Sequence, residues 1–378
     1  MNLQALSLGL YVHVPFCSNQ CDYCHFFKTY PSKDILKQYL DKMAEESAFW
    51  REKIGGRSYE TIFWGGGSPS CLSASDLQTL ASLCPRDAKL KEWTVEVSPN
   101  SITLEKLQVL KALGVTRISM GVQSFNPETL KRLGRHQSVK QAYQAYDWIR
   151  EVGFKNVNLD LIFPPDFSAI EQWKQDLITA VQLNPEHLST YCLTYENDTG
   201  PFTPEQHKNV DENKEADFYE FTWKFLEDQG YEHYEVSNFS KPGFQCLHNV
   251  NTWRMQEWIG WGPSAASQYA MRRFQNPFDM NAWINGQRIN EATLTDDMLY
   301  KDCLIFGLRT CEGVDLVQLQ QRFPKYSQNS YAKLWESLIS AGLLTLSDNH
   351  IRCTPKGLLL ADSIALEILA EEEMTRVH

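Results

Sequence analysis

Short apolar, β-branched runs alternate with longer stretches of helical periodicity from the start of the chain to about residue 195. The runs at 10–14, 61–64, 93–97, 116–121, 156–162 and 188–193 predict strands, and helical patterns fall between them near 34–54, 73–84, 103–113, 139–152 and 169–183. Strand–helix alternation with connections of this length predicts βαβ units and an α/β fold around a parallel sheet. Six units, and a pattern that breaks after residue 195, predict a partial (β/α)6 barrel over an eight-fold one. Functional groups of parallel barrels gather at the C-terminal ends of the strands. Here those ends carry a cysteine loop, Gly65-Gly66-Gly67, Glu96, Gln123 and Asp160.

Past the break, residues 205–230 have a charged, aromatic helix pattern, and the alternating stretch 231–237 predicts an added strand. The Gly/Pro/Asn-rich stretch from Ser240 to about Asn285 reads as functional loops. From about residue 296 the pattern is helical again and ends in two short strands around Ser347-Asp348-Asn349, a small winged-helix-like α+β module. The expected division is a barrel over 1–200, a barrel extension and loop region over 201–295, and the C-terminal module over 296–378.

A chain of 378 residues is long enough for one large domain and a smaller one. Its 43% hydrophobic and 22% charged residues are ordinary for a globular protein, and a net charge of −11 argues against a nucleic-acid footprint. The N-terminus has no basic region of a signal or transit peptide, and no apolar run is long enough to span a membrane. Of ten cysteines, seven (71, 84, 192, 246, 303, 311 and 353) are scattered and read as reduced and structural, which places the chain in the cytoplasm.

The other three form Cys17-Ser-Asn-Gln-Cys21-Asp-Tyr-Cys24, directly after the first strand. Three thiolates on one loop hold three irons of a [4Fe–4S] cubane and leave the fourth open to a small ligand. A structural zinc site and buried free cysteines are the competing explanations, but closed zinc sites use four ligands at spacings this run lacks. Gly65-Gly66-Gly67-Ser68-Pro69 ends the second strand, where backbone without side chains lets a ligand approach closely. Asp160 breaks an apolar strand, which is costly unless the carboxylate is paired, with Arg117 or Arg135, or lies at a site. Cys246-Leu-His248-Asn249-Val-Asn-Thr252-Trp253 offers an imidazole, a nearby thiol and, with Trp258 and Trp261, flat aromatic surface. Imidazole is a common ligand of haem iron.

Together, Tyr11-Val-His-Val-Pro-Phe-Cys17, Trp64-Gly-Gly-Gly-Ser-Pro-Ser70, Gly121-Val-Gln-Ser-Phe-Asn126, Tyr234-Glu-Val-Ser-Asn-Phe239, His248-Asn249 with Trp253, and Gly260-Trp-Gly-Pro263 resemble the coproporphyrinogen-dehydrogenase-like branch of the radical S-adenosylmethionine (SAM) superfamily, and within it the HemW-type haem chaperones. The resemblance implies a [4Fe–4S] cluster on Cys17, Cys21 and Cys24. It implies SAM contacts at Tyr11, Gly67, Ser68, Glu96, Gln123, Arg135, Asp160 and, by register, Thr194, and a haem site at His248, Asn249 and Trp253.

Two features lean towards the chaperones: Phe26 stands where the dehydrogenase motif has a further cysteine, and about nine residues precede the first strand where the dehydrogenase has some tens. The resemblance then implies haem as cargo and apo-haemoproteins as acceptors, membrane haemoproteins among them, and leaves a homodimer open. The alternative is an oxygen-independent coproporphyrinogen III dehydrogenase that cleaves SAM; a metal-binding barrel hydrolase leaves the three-cysteine spacing unexplained. The chain departs from the family pattern at Thr252 (tyrosine in the haem motif), at Ala266 (histidine) and over Phe163-Pro-Pro-Asp-Phe167 (a glycine-rich turn).

Overall fold

The computed structural model describes residues 7–19, 21–164, 168–194, 212–326 and 331–371. Strands β1 (Leu8–Val14), β2 (Thr61–Gly66), β3 (Glu92–Val97), β4 (Arg117–Gln123), β5 (Val157–Phe163) and β6 (His187–Cys192) lie side by side in chain order, each parallel to the next. The helices between them are α1 (Lys33–Lys53), α2 (Ala74–Leu83), α3 (Leu104–Leu113), the short α4 (Pro127–Arg132), α5 (Val139–Glu151) and α6 (Ile170–Gln182). Their starts are written locally: Ser32, Ser73, Thr103 and Ser138 each accept a first-turn amide, and Ser73 and Ser138 form capping boxes with Asp76 and Gln141.

Side chains alternate across each strand, and the two faces differ in kind. Leu10, Val12, Ile62, Trp64, Trp93, Val95, Ile118, Met120, Leu159 and Leu161 are buried in the main apolar core with the helices. The opposite face carries Tyr11, His13, Glu92, Thr94, Glu96, Arg117, Ser119, Asn158, Asp160, His187 and Ser189. Buried polar groups are retained where they are bonded or serve a site, and this polar interior leads up to the cysteine loop.

After β6, α7 (Glu212–Asp228) packs Phe218, Trp223 and Leu226 into the main core; the first part of the helix expected over 205–230 lies outside the described residues, as does Pro165-Asp166-Phe167. The added strand expected over 231–237 is β7 (Glu232–Glu235), and a further strand, β8 (Asn238–Ser240), follows it as a hairpin and lies antiparallel to β6. The stretch read as loops is a correction. It holds α8 (Leu247–Trp253), β9 (Glu257–Trp261), β10 (Ala266–Tyr269), β11 (Arg272–Gln275) and α9 (Met280–Ile284), and β12 (Ile289–Thr293) follows. β9 pairs parallel with β1, giving one sheet of order β12-β11-β10-β9-β1-β2-β3-β4-β5-β6-β8-β7. The β10–β11 turn is invisible in the sequence because Ala270 and Met271 take the positive φ angles (50° and 61°) that glycine or asparagine would advertise. The start of α8 touches β2 through Thr61, β3 through Glu92 and β7 through Tyr234, so the sheet curls around it.

The C-terminal part runs α10 (Asp296–Leu308), β13 (Val314–Asp315), α11 (Leu316–Arg322), α12 (Ala332–Ser340), β14 (Leu344–Ser347), β15 (His350–Cys353), α13 (Pro355–Leu359) and α14 (Ala361–Ala370). It has its own core, including Leu299, Leu304, Phe323, Trp335, Leu344, Ile351 and Ile368, and a three-stranded sheet of order β13-β15-β14. As the sequence predicts, β14 and β15 turn at Asp348-Asn349, both at positive φ. Among the described residues, no helix is long and apolar enough to cross a membrane.

Candidate functional site

The cysteine loop is tied down at both ends. Cys17 N donates to Thr29 O at 3.1 Å, Thr29 N donates to Pro15 O at 2.7 Å, and Lys28 Nζ donates to Cys24 O at 2.6 Å. His13 supports it from below, with Nε2 2.8 Å from Phe27 O and Nδ1 3.1 Å from the Tyr11 hydroxyl. The glycine turn docks on the same strand end: Gly67 N donates to Val14 O at 2.9 Å and Ser68 N to Phe16 O at 2.8 Å. A Cβ at Gly67 would lie 2.8 Å from the Phe16 carbonyl oxygen, and one at Gly65 2.8 Å from Glu96 Oε2, so the turn needs its glycines for contact.

A cavity of about 620 Å³ opens at this end of the sheet. Cys17, Cys21, Cys24, Gly67, Ser68, Glu96, Gln123, Arg135, Asp160 and Thr194 all line it. Tyr11 does not: its ring sits against Phe63 at 6.2 Å, lower in the barrel, where it holds His13. Gln123 reaches the cavity from a backbone with φ of 70°, at a register shift between β4 and β5; positive φ at a non-glycine residue often marks a site. Arg135 joins the cysteine loop to β4, with Nη1 3.5 Å from Cys21 Sγ and Nη2 donating to Gly121 O. Asp160 accepts from Asn158 Nδ2 at 2.8 Å and Ser119 Oγ at 3.2 Å. The charge of buried Arg117 also acts on it, holding its carboxyl down against burial.

Burial pushes the Glu96 carboxyl up to about 8, with the Asp160 charge acting in the same direction against the Gly66 amide and Arg117. Asp160 is raised by burial as well. Burial pushes the Cys17 thiol up to about 12, and neighbouring thiols add to the shift. Three thiols on one loop, lining a single cavity, fit an iron–sulfur cluster held through Cys17, Cys21 and Cys24. The carboxylates beside them fit the cationic groups of SAM.

The haem-motif residues lie elsewhere. His248 is buried near the N-terminal ends of β1 and β2: its ring is 5.4 Å from Phe63, and Nδ1 lies 2.9 Å from Thr61 Oγ1. Burial lowers its basicity to about 4. Glu92 caps the helix that carries it, accepting from Leu247 N at 2.9 Å and His248 N at 3.1 Å. The flat surface expected from three tryptophans is not formed: Trp253 packs on Tyr234, Trp258 donates to Ala266 O, and Trp261 is buried against Tyr59. Asn249 is half-buried on the same helix. Cys246 is buried with Sγ 3.5 Å from Glu92 Oε1, its thiol pushed up to about 12, and is no substitute ligand there. Sequence reading also set Cys71 and Cys192 aside as structural, whereas both line the cluster cavity. The signal for Cys71 was its place directly after Gly65-Gly-Gly-Ser-Pro-Ser70.

A three-thiol loop at the carboxyl end of a curled parallel sheet, facing carboxylates across a cavity, defines a radical SAM protein. Residues 11–174 match the model of the radical SAM superfamily, and residues 294–360 that of the HemN C-terminal domain. The chain is 32% identical to a protein named heme chaperone HemW from Lactococcus lactis, over 96% of this chain and 97% of that one. It is 31% identical to the Escherichia coli protein of the same name, over 96% and 98% of the two chains. The structure of coproporphyrinogen III oxidase (HemN) from Escherichia coli, described as a radical SAM enzyme, superposes with a TM-score of 0.81 at 25% identity, covering 97% of this chain and 90% of that one. The chain belongs to the HemW family.

Proposed function

We propose that the protein is a haem chaperone: it binds haem and hands it to apo-haemoproteins, while carrying a [4Fe–4S] cluster on Cys17, Cys21 and Cys24 together with SAM. The observation that carries this reading is similarity along nearly the whole chain to proteins named heme chaperone HemW. Phe26 supports it: 62% exposed on the cavity rim, it presents an apolar ring where the dehydrogenase motif has a cysteine. When bound, the cluster supplies an open iron for the amino and carboxylate groups of SAM and an electron of low potential. Around it, the Gly67 and Ser68 backbone holds the polar end of SAM, Glu96 and Asp160 face its cationic and hydroxyl groups, Gln123 and Thr194 close the far side, and Arg135 fixes Cys21. Ten cysteines with no disulfide among the described residues suit a reducing compartment such as the cytoplasm.

His248, Asn249 and Trp253 serve haem in this reading only once α8 turns out of the barrel, which breaks the contacts to Thr61 and Glu92. Likeness to the oxidase structure favours the dehydrogenase as the second reading. Anaerobic reconstitution followed by parallel haem titration and coproporphyrinogen III turnover separates the two. Stoichiometric haem binding without protoporphyrinogen formation is expected; turnover without haem binding assigns the dehydrogenase.

A further inference from the structure

We infer that Cys71 is a fourth ligand of the cluster, occupying the open iron while SAM is absent and leaving it when SAM binds. This rests on the proposed cluster at Cys17, Cys21 and Cys24, and concerns how its open position is guarded.

Three observations converge on the residue. Cys71 ends a short 3-10 turn, Pro69–Cys71, whose entry is bonded to the strand end that leads into Cys17. The chain runs from Ser68, whose amide donates to Phe16 O at 2.8 Å, to Cys71, whose amide donates back to Ser68 O at 2.9 Å. The thiol therefore rides on a segment fastened to the cluster loop. Second, Cys71 is partly open and lines the same cavity as the three loop cysteines. Third, a cation is fixed beside the turn: Lys106 Nζ donates to Ser70 O at 2.7 Å and to Ser101 O at 2.8 Å. A fourth thiolate adds a negative charge to the cluster, and this ammonium offsets it.

The turn is held rigidly for the purpose. Ser70 Oγ lies 2.8 Å from Ser68 Oγ and 2.6 Å from Ser101 Oγ, and accepts from Ser98 N at 3.0 Å. One segment thus presents both the Gly67-Ser68 backbone proposed for SAM and the thiol that competes with SAM for iron. Binding of Cys71 forms an S–Fe bond and gives the thiol proton to solvent. Arrival of SAM breaks that bond: the SAM ammonium gives a proton to the leaving Cys71 thiolate, and the freed amino nitrogen and a carboxylate oxygen take its place on the iron. No electron moves in either direction. A full four-thiolate set protects the corner iron from loss, which three cysteines alone do not.

The test uses the full chain, reconstituted anaerobically with iron and sulfide. Wild-type Cys71 is expected to resist alkylation by iodoacetamide in the cluster-loaded protein and to become alkylated on adding millimolar SAM, read by peptide mass spectrometry. Mild ferricyanide oxidation without SAM is expected to leave four irons in the wild type. In Cys71→Ala it is expected to strip one, giving the electron paramagnetic resonance signal of a three-iron cluster, and SAM is expected to bind this variant at least tenfold more tightly. Alkylation of Cys71 at the same rate with and without SAM, in a protein that holds four irons, overturns the inference and leaves the cluster reading standing. A wild-type protein that takes up no iron overturns both. The alkylation arm needs no variant, so a poorly folding Cys71→Ala does not rescue the idea.

Discussion

At the proposed SAM site, Glu96 is expected to tie affinity to pH. Its carboxyl stands at about 8 against an ordinary 4.5, because burial and the Asp160 charge disfavour the anion. Cationic SAM favours the anion, so below about 8 binding must first ionise Glu96, and apparent affinity scales with the ionised fraction. One unit below that value about a tenth is ionised, and two units below about a hundredth. Affinity is thus expected to rise about tenfold per pH unit from pH 6 towards 8 and then to level off. The sign for folding is opposite: an acid raised in the folded state ionises first in the unfolded chain, so the SAM-free protein loses stability as pH climbs from the ordinary carboxylate range towards 8. Isothermal titration of SAM into the cluster-loaded protein, in two buffers of different ionisation heat, gives the dissociation constant and the protons released. Because the SAM amine also titrates, Glu96→Gln serves as the reference, and its slope is expected to be shallower by one power of ten per unit. Equal slopes in the two proteins would refute the role given to Glu96.

Other outcomes follow from the packing. Glu92→Ala leaves the Leu247 and His248 amides buried without their acceptor and takes an anion from beside buried Arg117. A loss of about 3–5 kcal/mol is expected in urea unfolding, and a change under about 1 kcal/mol would contradict the capping role. Gly67→Ala forces a Cβ into the backbone of Val14, Pro15 and Phe16; reconstituted iron content is expected to fall well below that of the wild type, and full iron uptake would show that the turn can move. Arg135→Met removes the guanidinium from Cys21, so the reduced cluster's resonance spectrum is expected to change while unfolding of the iron-free chain keeps its denaturant slope; an unaltered spectrum would separate Arg135 from the cluster.

The parallel sheet was legible because β1 to β6 are short apolar runs, with capping serines and threonines marking the helix starts between them. β9 was not: Trp258 and Trp261 read as ligand-facing aromatics, although Trp261 is core and the strand pairs with β1, about two thirds of the chain away. The site followed the same division. Cys17, Gly67, Glu96 and Gln123 announce themselves because each follows or lies at the end of a predicted strand, and Asp160 because it breaks one. Local pattern does not say whether a histidine faces solvent or a barrel, so the burial of His248 against Thr61 and Phe63 came only with the fold. Cys71 lay three residues past the glycine turn, and only docking of that turn on β1 shows that it shares the cavity with Cys17.

Haem transfer tests the chaperone reading most directly. Cluster-loaded protein is charged with one equivalent of haem, mixed with an apo-haemoprotein and separated, and the Soret band of each fraction is read, with coproporphyrinogen III turnover assayed in parallel. The expected result is haem in the acceptor, with no decarboxylated product and with transfer lost in His248→Ala. Haem that never leaves solution for the protein, together with protoporphyrinogen and 5′-deoxyadenosine in the parallel assay, would contradict it.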